Sequence, residues 1–174
     1  MRQIRLSEKT LMTCLVVTTV LAIPAMVAVA PSIQTASAAP IRTISGQGAG
    51  GEDSGLLCKN SDGTDQFFWN GSGVTIDFDA QIKPNKKASG SWEIINQTQG
   101  PDGTKSGTIT SAKLNTKAGS FTLTGIENTN TLCVTPFPTT ITITGQCSSQ
   151  EQILRFSSAD GREVGTFSGS VSCQ

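Results

Sequence analysis

A strict alternation of apolar and polar residues runs through most of the chain and restricts it to β-structure. The clearest case is residues 74–82, where the apolar positions are Val74, Ile76, Phe78, Ala80 and Ile82. A period of two is the pattern of a strand with one buried and one solvated face. No comparable stretch has the spacing of an amphipathic helix. The sequence therefore predicts an all-β fold.

The runs of alternation are separated by residues that favour turns. Asn85, Asp102-Gly103 and Asp160-Gly161 preset or tolerate the backbone angles of tight turns. The predicted strands cover residues 66–69, 74–82, 91–96, 106–113, 120–125, 140–145, 152–157 and 166–171. This spacing indicates an antiparallel Greek-key β-sandwich of about eight short strands, with a small β-barrel as the alternative.

The first 38 residues have the three parts of a secretory signal peptide. They combine a basic start, an apolar run over residues 11–30 and small residues that end at Ala38. An alternative is an N-terminal membrane anchor, because the apolar run is long enough to span a bilayer. We therefore expect a secreted or cell-surface protein, which contacts the membrane only if the N-terminal segment is not cleaved.

The segment after the signal contains many glycines and few apolar residues. Such a composition loses much entropy on ordering and buries little apolar surface. We predict a flexible leader over residues 39–55 and a single β-sandwich domain over residues 56–174, within the usual size of one domain.

Four cysteines lie beyond the signal, and an even number in an exported chain indicates two disulfides. Of the three possible connectivities, we favour Cys58 with Cys133 and Cys147 with Cys173. The chain has no histidine and no C-x-x-C pair, which argues against zinc and thioredoxin-like redox chemistry. We predict no cofactor.

Charge and composition exclude several functions. The chain has 13 basic and 13 acidic residues, so it lacks the positive field on which nucleic-acid binding depends. Without histidine, the serine–histidine and cysteine–histidine nucleophile systems are also excluded.

Carboxylates on neighbouring strands are the remaining candidates for acid and base chemistry. Asp77 and Asp79 share one strand face, and Glu93 lies on the next predicted strand. Two carboxylates at a short separation are what glycoside hydrolysis requires. The E-x-D-x-E strand pattern of laminarinase-like jelly rolls is absent, so a solvated strand face is the favoured interpretation and no residue is assigned as catalytic.

An aromatic residue beside a turn provides a candidate ligand surface. Trp69, with Asn70 next to it, offers a flat ring and a hydrogen-bonding neighbour for a sugar, whereas Trp92 has the flanking residues of a core position. The predicted ligand-binding residues are Trp69, Asn70, Asp77 and Asp79.

An oxygen-rich turn contains Asn60, Asp62 and Asp65, ligands of the type that calcium prefers. Its spacing departs from that of a calcium-binding loop, so we favour a structural turn and predict no metal site.

The sequence thus favours an exported or cell-surface β-sandwich module with a non-enzymatic binding or structural role, and an extracellular glycan or an envelope protein as partner. The first alternative is a small carbohydrate-active hydrolase that uses Asp77, Asp79 and Glu93. The second is a secreted inhibitor that presents a rigid loop at residues 135–139.

Overall fold

The computed structural model describes residues 43–83, 85, 87–134 and 138–174; the predicted signal lies outside them. The described chain forms ten antiparallel strands and a 3-10 turn at Gly100–Asp102. The strands are β1 (Thr43–Ala49), β2 (Gly55–Lys59), β3 (Asp65–Asn70), β4 (Val74–Ile82), β5 (Lys87–Asn96), β6 (Thr104–Asn115), β7 (Ser120–Asn130), β8 (Thr140–Gln146), β9 (Gln152–Ser158) and β10 (Glu163–Cys173). Within these described ranges, no helix is long and apolar enough to cross a membrane.

Eight of the strands close into a barrel. Strands β4 to β10 each pair with the next along the chain, and β1 joins the two ends by pairing with β4 on one side and β10 on the other. The all-β antiparallel prediction is confirmed. Its alternative form, a small barrel, matches the strand pairing, and the Greek-key sandwich is not confirmed.

The prediction of a flexible leader over residues 39–55 is wrong for the part that the structure describes, because Thr43–Ala49 forms β1. The glycines that suggested mobility have a packing role. A side chain on Gly46 would clash with the ring of Phe78 and with Val171, and a β-carbon on Gly48 would be crowded at 3.1 Å from Phe167. Glycine is required because β1 passes over large inward side chains from its neighbours.

The barrel interior is filled by side chains. Trp92 is 1% exposed, which confirms its predicted core position, and its ring lies 5.4 Å from that of Phe156. The other large inward residues include Phe78, Phe121, Phe167, Ile76, Ile94, Leu123, Ile141 and Ile143. An eight-stranded barrel has little more room than its own side chains need, so this interior is a packed core.

A hairpin of β2 and β3 extends the sheet outside the barrel. It pairs through β2 with the first residues of β10, while β3 pairs with β2 alone. One disulfide joins Cys58 of β2 to Cys133 after β7, and a second joins Cys147 to Cys173. Both predicted disulfides are confirmed with the favoured partners, and they favour an extracytoplasmic location.

Candidate functional site

A polar groove crosses the outside of the barrel over β4, β1 and β10. It has a volume of about 600 Å³ and continues into a smaller depression of about 330 Å³. The two share Gln47, Asp77 and Ser170. Four further hydroxyl and acidic residues line the larger groove, together with four apolar or glycine positions: Thr75, Ser149, Glu151 and Ser168, and Gly48, Ala49, Ile76 and Gly169.

Strand register places these side chains side by side. Gln47 of β1 lies opposite Asp77 of β4 and opposite Ser170 of β10. Side chains at directly paired positions stand on the same face of a sheet. The glycines between them point inward, so the outer face of β1 carries the hydrogen-bonding groups. The groove can therefore bind a polar ligand through hydroxyl, amide and carboxylate groups.

The three predicted carboxylates meet on this outer face. Asp77 is directly paired with Glu93 of β5, whereas Asp79 is paired with Ser91. Both aspartates are exposed to solvent, as expected for the wet face of a strand. Only Asp77 lines the larger groove, and Asp79 lines the smaller depression.

The predicted aromatic site lies elsewhere in the sheet. Trp69 is in β3, where its ring stacks on Phe67 at 5.5 Å and its Nε1 donates to the carbonyl of Leu132 at 3.2 Å. The neighbouring Asn70 donates to the carbonyl of Glu52 at 3.2 Å. Neither Trp69 nor Asn70 lines the groove that contains Asp77. The four predicted ligand-binding residues therefore belong to two separate places in the fold.

The oxygen-rich turn before β3 is organised by its own hydrogen bonds. Asp62 Oδ1 accepts from the backbone N–H of Thr64 at 2.9 Å and from its hydroxyl at 2.6 Å, and Asn60 donates to the same hydroxyl at 3.0 Å. The bonds from Thr64 hold the pKa of Asp62 below its ordinary value. Across the described residues, no three side chains from His, Cys, Asp and Glu are grouped as metal ligands.

A buried charge cluster, which the sequence analysis did not identify, lies at one end of the barrel interior. Lys105 of β6 places Nζ 2.7 Å from Glu127 Oε2 and 2.6 Å from Glu163 Oε2. All three side chains are 0% exposed. Nζ also lies 5.8 Å from the centre of the Phe156 ring. Three ionisable groups are thus enclosed in the apolar core.

Polar neighbours complete this cluster. Asn130 Nδ2 donates to Glu163 Oε1 at 3.0 Å, and Asn130 Oδ1 accepts from the backbone N–H of Cys133 at 3.0 Å. Burial raises the pKa of Glu127, an effect that the Lys105 ammonium opposes and the Glu163 carboxylate reinforces. Burial therefore favours the protonated form of the Glu127 carboxyl group.

The alternation of inward and outward residues, extended along β6 and β7, would have predicted that Lys105 and Glu127 are buried. Lys105 lies two residues before Gly107 and has the same inward position as Gly107 and Ile109. Glu127 likewise continues the inward series of Phe121, Leu123 and Gly125. A charged residue at an inward position either pairs or costs much free energy. One predicted strand began at residue 106 and the other ended at residue 125, so both charged residues fell just outside the predicted strands.

Searches with this chain against protein-family models, curated proteins and solved structures found no match.

Proposed function

We propose that this protein is an exported binding module that holds an extracellular glycan in the polar groove over β4, β1 and β10. The observation that carries the proposal is the groove itself, which presents amide, hydroxyl and carboxylate groups in one row. A polyol is recognised by such groups through several hydrogen bonds. The packed barrel interior favours an outer surface as the place where a ligand binds.

The charge of the groove narrows the class of ligand. Asp77 and Glu151 are its acidic residues, and none of the described residues that line it is a lysine or an arginine. An anionic polymer would meet repulsion there, so we expect a neutral or amino-substituted sugar. Export is supported by the two disulfides and by the signal predicted over residues 1–38.

A glycan and polysaccharide array with the mature protein tests the proposal, followed by titration of any hit. Gln47→Ala removes a central hydrogen-bonding group, and loss of one bond of about 1 kcal/mol weakens binding about fivefold. Gln81→Ala is the matched control, because Gln81 is exposed on the next strand and lines neither depression. Binding that Gln47→Ala leaves unchanged, or an array without hits, would contradict the proposal.

The same array separates the groove from the aromatic hairpin. Trp69→Ala is expected to leave groove binding unchanged, since Trp69 packs on the hairpin. Loss of binding in this variant alone would place the ligand on the hairpin.

A glycoside hydrolase is a second candidate because Asp77 and Glu93 are directly paired. The β-carbons of directly paired residues are about 5 Å apart, so the two carboxyl groups can come within the range of about 5 to 9 Å that glycosidases use. Release of reducing sugar from a bound polysaccharide, abolished by both Asp77→Asn and Glu93→Gln, would support this candidate. The inhibitor alternative rests on residues 135–139, of which 135–137 lie outside the described residues.

A further inference from the structure

The buried cluster places an amine and a carboxamide against the same carboxylate. Lys105 Nζ lies 2.6 Å from one oxygen of Glu163, and Asn130 Nδ2 lies 3.0 Å from the other. A single carboxylate that bridges two groups in this way can pass a proton from one to the other. Glu163 is therefore positioned for a reaction between Lys105 and Asn130.

The sheet brings the same two side chains together independently. Lys105 and Asn130 are direct partners in the pairing of β6 with β7. Side chains at paired positions share a face, with their β-carbons about 5 Å apart. The extended lysine side chain is longer than this separation, so its length allows the amine to reach the carboxamide carbon of its partner.

The surroundings of Lys105 provide an acceptor for its proton. The Lys105 side chain is 0% exposed, and its two close carboxylates give Nζ no well-aligned hydrogen bond. Glu127 Oε2 lies 2.7 Å from Nζ, and burial raises the pKa of the Glu127 carboxyl group, so this carboxylate can accept a proton from the amine. The neutral amine is also the nucleophilic form of lysine.

We propose that Lys105 and Asn130 form an intramolecular isopeptide bond inside the barrel, with Glu127 and Glu163 as the acid–base groups. First, the Lys105 ammonium gives a proton to Glu127. The neutral Nζ then attacks Cγ of Asn130, and the electron pair of the carbonyl moves to Oδ1. The backbone N–H of Cys133, 3.0 Å from Oδ1, stabilises the charge that develops there.

The second half of the reaction releases ammonia. Glu163 takes a proton from the attacking nitrogen at Oε2 and delivers one to Nδ2 from Oε1. The bond between Cγ and Nδ2 breaks, Nδ2 leaves as ammonia, and an amide joins Nζ to Cγ. Glu127 keeps the proton it received, so the charge of the cluster is unchanged. The bond would cross-link β6 and β7 beside the Cys58–Cys133 disulfide.

Mass spectrometry of the purified, disulfide-reduced and denatured protein tests the proposal directly. The expected mass is that of the chain less one ammonia. Trypsin is expected to leave the bond after Lys105 uncut and to yield a branched peptide that joins Lys105 to the segment containing Asn130. An unmodified mass, together with cleavage after Lys105, would overturn the proposal, and this result needs no variant to fold.

Variants assign the chemistry to the cluster. Asn130→Ala and Lys105→Met are both expected to restore the full mass, and Glu163→Gln is expected to slow or abolish the loss of ammonia. Asn128→Ala is the matched control, because Asn128 is an exposed asparagine of the same strand. An ammonia loss that persists in Asn130→Ala, or that peptide mapping assigns to Asn70 before Gly71, would refute the bond.

Discussion

Replacement of Lys105 by methionine would leave two carboxylates in the core with no cation beside them. In Lys105→Met, Glu127 and Glu163 stay buried, and both lie within 2.7 Å of the position that Nζ occupied. Neither side chain has access to water, so one of them must take up a proton or remain as an uncompensated buried charge. Burial already raises the pKa of Glu127, which makes this residue the one that is protonated.

The cost follows from the free energy of that protonation. Glutamate has an ordinary pKa of 4.5, and each pH unit above it costs about 1.4 kcal/mol. A Glu127 that must remain neutral in the fold therefore lowers the free energy of unfolding by about 3 kcal/mol at pH 7 and by less than about 1 kcal/mol at pH 5. The pKa of Glu127 is higher in the folded state than in the unfolded state. The free energy of unfolding is therefore highest below the unfolded-state pKa, and it falls as the pH rises toward the folded-state pKa.

The comparison that isolates this charge is Lys105→Met against Lys105→Met/Glu127→Gln. Both variants lack the lysine and any bond made by it, so their difference reports the Glu127 charge. Urea unfolding followed by tryptophan fluorescence is expected to show the double variant more stable by about 3 kcal/mol at pH 7, with the difference shrinking at pH 5. Equal stabilities at pH 7, or a difference that does not change with pH, would refute the reasoning.

Two further changes test the packing of the barrel. Replacement of Cys58 and Cys133 by serine opens a loop of 75 residues, and we expect it to lower the free energy of unfolding by about 4 kcal/mol. Urea titration measures the loss, and an unchanged unfolding midpoint would contradict the prediction. Gly107→Ala would place a methyl group against the backbone and 2.8 Å from Nε1 of Trp92, with an expected cost of about 1–3 kcal/mol. The matched control is Gly73→Ala, because its methyl group would have no contact under 3.5 Å. Thermal unfolding compares the two variants, and equal shifts of the unfolding temperature would count against a tightly packed interior.

The prediction of strands succeeded where alternation was complete and failed where glycine interrupted it. Residues 74–82 were predicted as a strand with the same bounds as β4. In contrast, β1 was predicted as a leader, because a strand whose inward positions are Gly46 and Gly48 has no apolar pattern. Those glycines are needed only because Phe78 and Phe167 occupy the space, a fact of three-dimensional packing.

The sequence by itself determined the all-β class, the inward position of Trp92 and the supply of four cysteines for two disulfides. These follow from local patterns, since alternation, turn residues and cysteine number do not depend on distant contacts. Only the tertiary structure decided that β1 closes a barrel, that Gln47 and Asp77 line one groove, and that Lys105, Glu127 and Glu163 meet. Lys105 and Glu163 are far apart along the chain, and their proximity arises because barrel closure brings the ends of different strands to one place.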